Sequence, residues 1–151
     1  MDAVTYPTSK VIEFIAEKLI PLQLLSNSEP HAAEYGVKWT PNLLLIDAEG
    51  KDHHRVIGFL PPVELIPSLM LGMGKGCFNK DQLNEAIECF ESVINEYPYS
   101  SSAPEAIFFK GVAGYKSTHE TDHLKEAYRK LQTQYHHSEW ARRAYPYWLL
   151  P

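Results

Sequence analysis

A chain of 151 residues with 44% hydrophobic and 22% charged side chains can bury one core, or two small ones joined, and lacks the polar, highly charged composition of a disordered chain. Fourteen basic against nineteen acidic residues leave a net charge of −5, and no basic cluster exceeds Arg142-Arg143, so a nucleic-acid surface is excluded. No apolar run has the length of a membrane span, and Met1-Asp2-Ala3-Val4 is neither basic nor followed by a signal-type apolar core, so the chain as written is expected in the cytoplasm.

In chain order, Ser9 is placed to cap a helix whose apolar stripe is Val11, Ile12, Phe14, Ile15 and Leu19, ended by Pro21. Ile20-Pro21-Leu22-Gln23-Leu24-Leu25 reads as a short strand, and Ser28-Glu29-Pro30 opens a second helix that stops at Gly36. Trp39-Thr40-Pro41 then leads into Asn42-Leu43-Leu44-Leu45-Ile46-Asp47. An apolar run without polar alternation reads as a strand buried on both faces, and Pro41, lacking an amide hydrogen, belongs at its start, where an X-Pro bond is also the common place for a cis peptide. Asp47-Ala48-Glu49-Gly50 makes a hairpin turn, Asp52 to Ile57 is the returning arm, and a helix is expected from about Pro62 to Leu71.

The run Tyr35-Gly36-Val37-x-Trp39-Thr40-Pro41-Asn42-Leu43-Leu44-Leu45-Ile46-Asp47-x-x-Gly50, followed by Arg55-Val56-Ile57-Gly58-Phe59, resembles the C-terminal part of a thioredoxin fold, whose cis proline matches Pro41. Met1 to Val11 is similar to the segment that follows W-C-x-x-C in one thioredoxin subgroup. The resemblance implies an α/β sheet lacking its first strands and its C-x-x-C, hence no thiolate pair for disulfide exchange. It also implies that Trp39, Thr40 and Pro41 offer a peptide-binding surface, and that strands equivalent to Leu22–Leu25 and Leu43–Asp47 flank a missing centre. Those strands should close on each other, or a partner strand or second copy should fill the gap. The alternative is a fragment of a thiol-disulfide oxidoreductase whose C-x-x-C precedes Met1, with an envelope location if an upstream signal is missing.

From Leu65 onward the pattern is helical and repeats with a period of 38 residues: Tyr97-Pro98-Tyr99-Ser100-x-x-Ala103-x-x-Ala106 matches Tyr135-His136-His137-Ser138-x-x-Ala141-x-x-Ala144. Phe90 falls on Tyr128, Val93 on Leu131, Gly76 on Gly114 and Leu69 on Ile107. Met70, Met73, Gly74, Cys77, Ala86, Phe90, Val93 and Pro98 resemble a tetratricopeptide repeat, and the Y-P-x-S-x-x-A-x-x-A form is similar to repeats of bacterial envelope proteins. The predicted organisation is therefore a truncated thioredoxin-like α/β domain over residues 1–72 fused to all-α tetratricopeptide-like repeats over residues 73–151, with the Pro62 helix shared by both.

Cys77 and Cys89 fit neither a C-x-x-C redox pair nor a zinc knuckle and are read as buried free thiols. His53 and His54 are adjacent on a strand and should point to opposite faces, so they cannot share an ion, and His119 with His123 is interrupted by a helix cap at Thr121-Asp122. No catalytic residue, metal or cofactor is expected. The function read from the sequence is a protein or peptide binding module able to self-associate through open strand edges.

Overall fold

The computed structural model describes every residue from Met1 to Pro151. Helix α1 (Ser9–Lys18) follows Thr8, which takes the N-cap position expected of Ser9 and makes no side-chain capping bond. Val11 is its one buried residue and packs with Leu65, Ile66 and Leu69 in a small core that also collects Phe14, Ile15 and Leu19. Before it, the buried Thr5 hydroxyl donates to the Leu60 carbonyl at 2.6 Å and ties the N-terminus to the segment preceding the long helix.

The strand expected at Leu22–Leu25 does not form. Residues 19–25 are irregular, and Ile20, Leu22 and Leu25 are 97%, 75% and 78% exposed. A strand is stable only with a neighbour to complete its ladder, and none lies beside this segment, so it neither pairs with the next strand nor closes the sheet. A single turn, α2 (His31–Glu34), stops at Gly36, whose φ of +59° continues the chain in a conformation that suits glycine.

The sheet is one antiparallel hairpin, β1 (Asn42–Ile46) with β2 (Asp52–Ile57). Asp47 closes its turn: one carboxylate oxygen accepts from the amides of Glu49 and Lys51, and Gly50 supplies a φ of +80°. Strand β1 is half-buried, not sealed on both faces. Leu43 and Leu45 face the core, whereas Ile46 is exposed.

Helix α3 (Pro62–Asn79) runs eight residues beyond the Leu71 end expected from the sequence, straight across the 72/73 boundary. Gly72, Gly74 and Gly76 do not end it; they let neighbours approach. A Cβ at Gly72 would lie 2.8 Å from His54 Cβ, and one at Gly74 2.6 Å from the Phe90 ring, so the hairpin and the next helix both press against α3 backbone.

Helices α4 (Leu83–Glu96), α5 (Ala103–Thr118) and α6 (Asp122–Gln134) stack onward from α3, closed by α7 (Glu139–Arg143) and a 3-10 turn (Tyr145–Leu149). Residues at the 38-residue offset occupy matching places. Ala103, Ala106, Ala141 and Ala144 are all fully buried, as are Leu69 and Ile107. The core runs through Leu71, Phe90, Val93, Ile94, Ala127 and Leu131, with Phe78, Phe108, Phe109, Trp140 and Tyr147 packed around it. Glu64 holds the α4–α5 loop to the start of α3 by accepting from the Ser101 amide and hydroxyl at 3.0 and 2.7 Å, and the Tyr135 hydroxyl donates to the Pro98 carbonyl of the preceding unit. Thr121 takes the N-cap position of α6 but makes no side-chain capping bond, whereas Ser138 caps α7 by accepting from the Ala141 amide. No helix is long and apolar enough to cross a membrane.

Candidate functional site

Several polar groups without partners lie at the start of β1; Asp52 Oδ1, at the start of β2, is another. The Thr40–Pro41 bond is cis, Trp39 is 71% exposed, and the backbone groups of Lys38, Trp39 and Thr40 make no hydrogen bond within the chain. Ser26, Val37, Lys38, Trp39 and Thr40 line an open cavity of about 300 Å³. The end of the irregular 19–25 segment thus faces the beginning of β1 across empty space.

Backbone alternation defines what the edge presents. Pro41 accepts from the Gly58 amide at 2.8 Å and the Asp47 amide donates to Lys51 at 3.1 Å, so Pro41, Leu43, Leu45 and Asp47 direct their main-chain groups to β2. The amides and carbonyls of Asn42, Leu44 and Ile46 point the other way, where no second strand pairs with them. The Asn42 side chain adds to this: both atoms of its amide are buried and have no hydrogen-bond partner. An unpaired buried amide of this kind costs about 1–3 kcal/mol.

The other concentration of polar chemistry lies where the hairpin meets α3. The sheet register slips between Leu45 and Ile46, whose partners are His54 and Asp52, so His53 is an extra residue bulged out of the ladder. The bulge overturns the expectation that His53 and His54 face opposite ways: both approach α3, His54 beside Gly72 and His53 beside Gly76, one helical turn apart. His53 Nε2 lies 2.8 Å from the Asp47 carboxylate and Nδ1 2.9 Å from the Asn79 amide, while Lys80 reaches the same carboxylate at 3.2 Å. The hydrogen bond from His53, the Lys51 amide and then Lys80 hold the Asp47 carboxyl well below the usual carboxylate range.

His54 Nε2 sits 2.9 Å from the Ser68 hydroxyl. Burial first, and the Lys75 charge second, push its pKa down to about 4 against the opposing pull of Asp52. This Ser–His contact bridges hairpin and helix, with Ser68 buried and His54 half-buried. His54 through Ser68, and His53 through Asn79, join the sheet to α3.

No cluster of three or more His, Cys, Asp or Glu is arranged to hold a metal. Cys77 and Cys89 are free, partly exposed rather than fully buried, and adjacent across α3 and α4; burial followed by the Cys77 thiol raises the Cys89 pKa, the wrong direction for a nucleophilic thiolate. Of the residues expected to bind peptide, Trp39 and Thr40 line the cavity and Pro41 opens the adjoining strand. Sequence reasoning missed Asn42, although a lone amide inside an otherwise apolar strand is a legible signal. It also missed Ser26, which only the tertiary path of the 19–25 segment brings near. No protein-family model, curated protein or solved structure matches this chain.

Proposed function

We propose that the chain is a non-catalytic protein-binding module that takes an extended segment of another polypeptide as an added strand along β1, with Trp39, Thr40 and Pro41 at the mouth of the site. The supporting observation is the outward row of main-chain groups on Asn42, Leu44 and Ile46, continuous with the free backbone of Lys38 to Thr40. Strand addition draws affinity from main-chain bonds and specificity from alternate side chains. Here the alternate side chains would meet Trp39 at one end and Ile46 at the other, which favours apolar residues at every second ligand position. The thioredoxin-like resemblance of residues 1–72 suits this reading, since that family also presents backbone at its cis proline. The tetratricopeptide-like stack serves as the rigid body on which the hairpin is mounted.

The test is a titration of the nitrogen-15-labelled chain with a capped peptide of alternating valine and threonine. The amide resonances of Thr40, Asn42, Leu44 and Ile46 should shift while those of Leu43 and Leu45 hold their positions. Shifts confined to the helical stack, or none at all, would overturn the reading. Insulin reduction by the same chain should be nil, and measurable turnover would refute the non-catalytic assignment.

A further inference from the structure

We propose that a second copy of this chain also occupies the open edge: β1 pairs antiparallel with its own mate about a two-fold axis at Leu44, giving a four-stranded sheet ordered β2–β1–β1–β2. This rests on the same open edge as the proposed function and names a specific occupant for it.

Three features of β1 fit a copy of itself. The outward groups fall on Asn42, Leu44 and Ile46, so a two-fold axis at the middle residue sets Asn42 opposite the mate's Ile46, Leu44 opposite Leu44, and Ile46 opposite Asn42. Each is a hydrogen-bonded pair that exchanges an amide and a carbonyl in both directions, leaving no outward group of the strand unpaired. The strand is uncharged from Asn42 to Ile46, so self-pairing opposes no like charges despite the net charge of −5. The side chains brought together at the axis are leucines, and Ile46 and Ile57 extend the apolar surface around them.

The second edge of the hairpin shows why β1 is the one. Strand β2 carries the Asp52–Arg55 ion pair, at 3.0 Å, and the bulge at His53, and both charge and bulging discourage further pairing. β1 has neither device. An isologous contact of this kind closes at two subunits, because each chain offers a single such edge.

Self-pairing also makes the two occupants compete. Peptide binding should weaken as protein concentration rises, since the dimer hides the site.

Sedimentation equilibrium over a wide concentration range tests the dimer. The wild-type chain should pass from the mass of one subunit to twice that mass. Leu44→Pro should stay at one subunit with an unchanged helical circular dichroism spectrum, because the amide it removes faces the open edge and not β2. With Cys77→Ser and Cys89→Ser removing the native thiols, Leu44→Cys should cross-link to its own mate on air oxidation, since facing residues of a hydrogen-bonded pair sit within disulfide range. Leu43→Cys in that background, directed toward α3, should not.

A wild-type chain of single mass at every concentration overturns the inference; the edge reading then stands if the peptide still shifts the Asn42, Leu44 and Ile46 amides, and falls with it if they do not move. A dimer that survives Leu44→Pro, or that cross-links at position 43 rather than 44, places the contact elsewhere and overturns it as well.

Discussion

The chain before Pro62 and the chain after it solve the same physical problem with opposite success. Among residues 1–61 only Thr5, Val11 and His53 are buried, and apolar side chains such as Ile12, Ile20, Leu22, Leu25, Trp39 and Phe59 stand in solvent. From α3 onward each helix lays an apolar face against the next, and the large side chains of Leu71, Phe90 and Leu131 leave water entirely. The helical part carries its own core. The first part borrows its order from α3, through the Val11 cluster and the two histidine struts. Stability is thereby concentrated in one part, and the exposed apolar surface of the other makes little contribution to the fold.

The sharpest way to break this contrast is to remove the ring at its strongest point. Phe90 is completely buried between α3 and α5, so Phe90→Ala should cost about 3–5 kcal/mol, and because α3 is shared, it should loosen both parts together. Denaturant unfolding followed by helical and by tryptophan signals should show one coincident transition at a lower midpoint. A variant in which the helical stack melts while the Leu43 and Leu45 amides, which bond to β2, keep their exchange protection would show that the hairpin holds its order independently of α3.

Acid should act next most strongly, and through the strut between the parts. His54 has a folded pKa of about 4 against an ordinary 6.5, so the native state excludes a proton that the unfolded chain accepts. The stability His54 contributes is complete above pH 6.5 and falls as pH drops toward 4, by about 3 kcal/mol across the window, after which the slope ends. Asp47, also held low, adds a further loss with the same sign at more acid pH, as its carboxylate takes up a proton in the folded state only with difficulty. His54→Gln should flatten the slope between pH 6.5 and 4 while leaving the Asp47 limb in place, as read by denaturant midpoints at a series of pH values.

The two parts were also unequally legible. The repeat announced itself because its spacing is enforced by packing: Ala103, Ala106, Ala141 and Ala144 are small where helices touch, and the sequence cannot vary there without opening the stack. The hairpin was equally plain in Asp47 to Gly50 and in the proline step. What misled was Leu22–Leu25, whose composition is that of a strand but whose state depends on a neighbour that local sequence cannot supply. The histidines misled for a different reason. A strict alternation along β2 sends His53 and His54 apart, and the bulge that reunites them on α3 has no signature in residue type. The candidate site was read at Trp39, Thr40 and Pro41; Asn42 was legible too, as a lone amide beside an apolar run, and only its lack of a hydrogen-bond partner had to wait for the placed atoms.

The smallest effect is expected at the ion pairs that decorate the helical stack. Lys116 meets Asp81 across the turn side of α3 and α5, and Lys110 meets Glu91 at 2.9 Å, yet the Lys116 and Asp81 side chains are 46% and 73% exposed. Water and salt already satisfy such charges, and fixing two flexible side chains costs entropy that offsets most of the attraction. Lys116 also covers the Phe78 ring, with its ammonium 5.2 Å from the ring centre, so its loss removes one further weak contact. Lys116→Ala should therefore lower stability by no more than about 1 kcal/mol, and added salt should shrink the difference from wild type. A loss comparable to that of Phe90→Ala would mean that charge, and not the buried rings, sets the register between the helical units.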